Sequence, residues 1–123
     1  MKRSRSQFTN VLFVLSLVAV CVAGWAGPAQ AAITWNVAGS GAWDATTANW
    51  APGPTTFTDD GTVDVIFGNT AGGTITIAAG MSPLSTTVSA ASGTYTFNGG
   101  PIDSGTLTKS GGGTLRLNNS NTY

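Results

Sequence analysis

The chain of 123 residues contains no histidine and no glutamate, a single cysteine, and five basic and five acidic side chains. The commonest general bases, histidine and glutamate, are therefore absent, and aspartate is the only carboxylate side chain left for acid–base chemistry. Glycoside hydrolysis needs two carboxylates across a cleft; the aspartates supply the residue type, but nothing in their spacing pairs them. With Cys21 as the only thiol, no disulfide can form within one chain. Large apolar residues are also sparse, replaced by Gly, Thr, Ser, Ala and Asn. A compact globule needs more bulk inside. A thin structure of short strands and many turns manages with less, provided each layer is covered by a neighbour.

What is present begins with a basic, acid-free start, "MKRSRSQFTN", followed by the apolar run "VLFVLSLVAVCVA" and then "GWAGPAQAA". Ala29-Gln30-Ala31 is a small-x-small exit, so residues 1–31 read as a helical secretory signal peptide cleaved after Ala31. A membrane span needs about 20 apolar residues. Gly24, Gly27 and Pro28 interrupt this run, which argues against a retained anchor. Cys21 lacks the small residue before it and the polar chain after it that lipid attachment requires, and reads as an ordinary residue of the leader. Past Ala31 the charged residues are Lys109 and Arg116 against Asp44, Asp59, Asp60, Asp64 and Asp103, a net charge of −3. No basic patch for nucleic acid or an anionic membrane surface remains. The expected location is secreted or cell-surface, with signal peptidase and the export machinery as partners.

Five Gly-Thr-x-x-x copies start at Gly61, Gly73, Gly93, Gly105 and Gly113, and a weaker relative, "TTVSA", starts at Thr86. In most copies the third and fifth residues are apolar and the fourth is polar. Val63/Val65, Ile75/Ile77, Tyr95/Phe97, Leu107 and Leu115/Leu117 would face one way, and Asp64, Thr76, Thr96 and Arg116 the other. Alternation with period two marks strands buried on one side. No window after Ile33 offers a capped helical stripe, so the exported part is expected to be almost free of helix. Starts 7 to 13 residues apart fit a parallel β-helix or β-solenoid-like stack of short strands, or an antiparallel β-sandwich or meander. "FNGG" offers one hairpin turn, whereas "SGGG" and "AAGMSPLS" look like corners between short strands, which favours the stack.

"GTLTKSGGGTLRLNNSNTY", residues 105–123, resembles the autotransporter-associated β-strand repeat, with Leu107, Thr108, Lys109, Gly111, Gly113, Thr114, Leu115, Leu117, Asn121, Thr122 and Tyr123 in register. Gly112 and Arg116 occupy variable positions. The segment around Trp35, Trp43 and Trp50 is similar to the Trp- and Gly-rich stretch that often follows the leader in such proteins. The resemblance implies a Trp/Gly-rich N-terminal cap over 32–60 and a repeat region over 61–123 that breaks off before its last repeat closes, as in an N-terminal fragment. It implies a non-catalytic passenger element of a stalk, acting beside an outer-membrane barrel or cell-surface glycans. The alternative is a carbohydrate-binding module of a secreted protein.

No catalytic, cofactor-binding or metal site is expected, and no small-molecule substrate is evident. Asp59, Asp60 and Asp64 lie close together in "TDDGTVD", and clustered carboxylates suit calcium, but the spacing is not that of a calcium loop and no bidentate glutamate follows. A polar turn is the alternative reading. Trp43 and Trp50 could form a sugar-stacking face or fill the cap's own core. "NNS" at Asn118 matches a glycosylation sequon but reads better as an asparagine turn or a stacked asparagine ladder.

Overall fold

The computed structural model describes residues 30–53 and 55–123, and over these the chain is all-β, with nine short strands and no helix. Most of the expected leader, including its helix, lies outside the described residues. The strands are β1 (Ile33–Trp35), β2 (Gly41–Trp43), β3 (Trp50–Ala51), β4 (Asp64–Phe67), β5 (Gly73–Ile77), β6 (Ser85–Val88), β7 (Thr94–Gly99), β8 (Thr106–Lys109) and β9 (Thr114–Leu117). One sheet runs β3-β1-β4-β6-β8 and the other β2-β5-β7-β9. The topology is mixed: β3 lies antiparallel to β1, and the remaining pairings are all parallel. The antiparallel arrangement considered from sequence is therefore absent from the repeat region.

Successive Gly-Thr copies do not pair with one another. Those at 61, 86 and 105 lead into β4, β6 and β8 of the first sheet, and those at 73, 93 and 113 into β5, β7 and β9 of the second. A strand therefore meets its neighbour about two copies later. Asp64 aligns with Ser85, and Ser85 with Thr106, a step of 21 residues each time. In the second sheet Ile75 aligns with Phe97 and Thr94 with Thr114, steps of 22 and 20. Asn98-Gly99, a hairpin candidate by sequence, ends β7 and hands the chain to β8 in the opposite sheet. "AAGMSPLS" turns a corner, where Met81 forms a parallel bridge to Ile102.

The two sheets face each other across one core. Val63, Val65, Ile75, Ile77, Tyr95 and Phe97 are buried as the alternation predicts, and Val88 joins them from the weaker copy. Leu107 and Leu115 are only partly buried, and Leu117 is 41% exposed, contrary to the sequence reading. Phe97, one strand earlier in the same row as Leu117, is fully buried. Alternation fixes which way a side chain points, but burial depends on what covers it: among the described residues nothing lies beyond β8 and β9, whereas the indoles on the edge strands β2 and β3 are covered by one another and by Phe57 and Phe67. The segment 32–60 contributes β1, β2 and β3. Among the described residues Thr86 is the one buried polar residue, between Val65 and Leu107 in an inward row, and its hydroxyl has no partner among them.

The glycine that opens a copy has a steric reason. Gly93 has φ +79°, in the left-handed region, and a Cβ there would collide with the carbonyl of Thr70 on the preceding turn. Gly105, at φ +85°, would bring a Cβ to 2.6 Å from the Pro83 carbonyl oxygen. Gly61 shares the positive φ, but no atom lies within 4 Å of its Cβ position. Gly61→Ala should then cost only the left-handed strain, about 1–2 kcal/mol. Gly93→Ala adds a backbone collision and should lose clearly more. Chemical denaturation of the two variants side by side checks this; equal losses would remove the steric argument.

Candidate functional site

Three features deserve testing as sites: the tryptophan cluster, the aspartates, and the end of the sheets at β8 and β9. The tryptophans come from β1, β2 and β3, where parallel and antiparallel pairing bring Trp35 and Trp50 opposite each other and place Trp43 on the facing sheet. Trp35 and Trp50 meet edge to face with centroids 5.2 Å apart, and Trp43 meets Trp50 at 5.6 Å and Phe57 at 5.5 Å in the same manner. Phe67 of β4 touches all three indoles and continues to Tyr95 at 5.4 Å and Phe97 at 5.0 Å. Such tilted and perpendicular contacts each add about 0.5–1.5 kcal/mol beyond area burial. Trp43 and Trp50 are wholly buried, so neither offers a ring face to a sugar. The indole N–H groups of Trp35, Trp43 and Trp50 have no acceptor among the described residues, a cost the ring packing has to outweigh.

Four aspartates are engaged one by one, Asp44 and Asp60 in local turns and Asp59 and Asp64 with serines on the next strand or its corner. Asp59 accepts from the Ser82 amide at 2.6 Å, tying the entry to β4 to the corner below β6. Asp60 accepts from the Thr62 hydroxyl at 2.6 Å and the Thr62 amide at 3.0 Å. Those two bonds hold its carboxyl below the ordinary range. Asp64 accepts from the Ser85 hydroxyl at 2.5 Å, across the β4–β6 pair. Asp44 accepts from the amides of Thr47 at 2.6 Å and Thr46 at 2.8 Å, and these, Thr47 first, lower its carboxyl too. Among the described residues no three metal-ligating side chains come together, so Asp59, Asp60 and Asp64 form no shared cation cradle. In the core, burial pushes the Tyr95 phenol above its ordinary value.

Asn118, Asn119 and Asn121 divide their roles. Asn119 donates to the Gly100 carbonyl at 2.8 Å and to Asn121 at 2.9 Å, while the Asn121 side-chain oxygen accepts from the Ile102 amide at 2.9 Å. Thr122 then donates its amide to the Ile102 carbonyl at 3.1 Å, continuing the corner that began at Met81. The asparagine turn expected from sequence is thus a clamp on backbone groups of the preceding layer. Asn118 itself is exposed.

Among the described residues β8 and β9 are each the last strand of their sheet. They carry Lys109 and Arg116, both exposed, together with Leu107, Leu115 and Leu117. No other cation follows Ala31. No family model matches the chain, and no curated protein or solved structure shows a significant match to it.

The Asp44 turn has a pH signature. Its pKa is lower folded than unfolded, so its stabilising contribution is complete above an unfolded value of about 4 and is lost as pH falls through the folded one. Its exposure keeps that contribution small. Asp44→Asn retains an oxygen for the two amides but cannot titrate. The variant should therefore be slightly less stable than the parent near neutrality and converge with it on going from pH 5 to pH 3. An unchanged acid slope in thermal melts would count against the turn as its source.

Proposed function

We propose that this chain is a non-catalytic structural segment of an exported or cell-surface β-solenoid, a passenger-type element that builds a stalk or supports secretion. The observation that carries the reading is the near-constant step of 20 to 22 residues by which β4, β6 and β8 align in one sheet and β5, β7 and β9 in the other. A step of that kind is what a coil of stacked layers requires, and each layer buries its neighbour's apolar row. The resemblance of Gly105 to Tyr123 to the autotransporter-associated repeat supports the same reading, as does a chemistry-poor composition without histidine or glutamate. The sugar-binding alternative is weakened because Trp43 and Trp50 are sealed inside the core. Export itself rests on the basic start, the apolar run and Ala29-Gln30-Ala31.

If layers stack, the chain should accept one more of the same length. Duplicating residues 85–105 in tandem inserts one 21-residue step, so the downstream strands keep their facing and register. The lengthened protein should melt at a higher temperature in a single transition, because a stack gains an interface with each layer. A 14-residue insertion at the same place should destabilise it. If both insertions behave alike, the solenoid reading fails.

The location has its own check. Protein recovered outside the inner membrane of an expressing cell should begin at Ala32 or one residue either side, as read by intact mass. An exported product retaining Met1 would overturn the cleaved-leader assignment.

A further inference from the structure

The outer face of the second sheet presents ordered rows of polar side chains. Ile75, Ile77, Tyr95 and Phe97 turn into the core, so their alternate neighbours Thr74, Thr76, Thr96 and Asn98 turn outward. In-register pairing lines these up from strand to strand: Thr74 with Thr96 and Arg116, and Thr76 with Asn98. Asn118 extends the second row, since Leu117 stands opposite Phe97 and the Asn118 amide donates to the Phe97 carbonyl. Members of a row lie about 4.8 Å apart, and the two rows about 6.6 Å apart along the strands. The central strands β5 and β7 are paired on both sides, so the face does not depend on any free edge.

Its charge is as distinctive as its spacing. The four strands of this sheet carry no carboxylate, and Arg116 is their one charged side chain. Asp44 follows β2, three strands from β9, and is held in its own turn by the Thr46 and Thr47 amides. The outward rows of the first sheet differ, since they include Asp64 and Ile66. Hydroxyls and amides both donate and accept, and a guanidinium forks onto a carboxylate. A single cation is too little for nucleic acid, whose affinity comes from many phosphate contacts. An added peptide strand needs a free ladder, and the backbone of β5 and β7 is taken on both sides. A hydroxyl-rich chain with occasional carboxylates matches what the face offers.

We propose that the outer face of β5, β7 and β9 binds a linear polysaccharide bearing carboxylates, of the uronic-acid class, laid across the strands. Its sugar hydroxyls meet a donor–acceptor row at each strand crossed, and one sugar carboxylate takes the Arg116 fork. The contact needs no indole, since Trp43, Tyr95 and Phe97 of the same sheet all turn inward. It goes beyond the stalk reading and rests on the register of the second sheet alone.

The test uses the full chain and two end-labelled probes, hexagalacturonate and the same hexamer with every carboxyl methyl-esterified. At low salt the acid form should bind roughly twofold to fivefold more tightly, the size expected of one exposed ion pair. The preference should fade as salt is raised. Arg116→Gln should abolish the preference and leave binding of the ester unchanged. Lys109→Gln should leave the preference intact, because Lys109 belongs to the other sheet and its ammonium is turned onto the Ser110 and Gly111 carbonyls. Thr96→Val with Asn98→Ala should weaken both probes roughly fivefold or more, about the loss of two hydrogen bonds, with unchanged tryptophan emission. No binding of either probe by natively folded chain, equal affinity for the two, or a preference that survives Arg116→Gln would each overturn the proposal. So would a hexaglutamate peptide that binds as tightly as the uronate, which would leave only a charge contact.

Discussion

The structure depends on backbone lying directly against backbone from one layer to the next. Parallel pairing brings strands close together at the standard ladder spacing of about 4.8 Å. The corners between them must approach equally closely, and a side chain there has nowhere to go. Gly93 and Gly105 meet that demand where carbonyls of the preceding turn occupy the space a Cβ would need. The hydrogen bonds from Gly113 to Ala90 and from Gly100 to Ile77 belong to the same contact. The recurrent Gly-Thr pair is best understood from this: glycine for the close approach, then a β-branched residue to begin the strand.

A structure so rich in small residues needs its bulk concentrated somewhere. Here that place is the start of the described chain, where Trp35, Trp43, Trp50, Phe57 and Phe67 fill the space between the sheets. Further along, the same volume is held by Tyr95 and Phe97 on one side against Val65 and Val88 on the other. The aromatic cluster thus fixes the separation of the sheets for the layers that follow. Its rings serve packing, which explains why a pattern that suggested a ligand face in the sequence supplies none.

The all-β character was legible because alternation is local: Ile75/Ile77 and Tyr95/Phe97 advertise their facing within five residues. Pairing was not, because it joins residues about 21 apart and leaves no mark on either strand alone. Strands β1 to β3 were hidden because two or three residues are too few to show a period. Leu117 was misjudged because its exposure depends on what lies beyond β9, a neighbour that the residue itself cannot specify. At the candidate sites, the residue types were visible but not their engagements. Asp59 reaches Ser82 across 23 positions, and Asn121 reaches back to Ile102 across 19, so neither contact is local in sequence.

The even step between layers also sets how the chain must fold. Each new layer closes a loop of about the same length against the one before it, so the entropy of closure is nearly identical every time and grows only logarithmically with loop size. The segment before β4 differs: β1 aligns with β4 over a longer separation, Ile33 to Val65. By the same logarithm that first closure costs only about 0.4 kcal/mol more than the later ones, and the tryptophan-rich packing holds its two ends together. Each later strand of a sheet then has a neighbour to pair with, at a closure cost that hardly changes from β6 to β8.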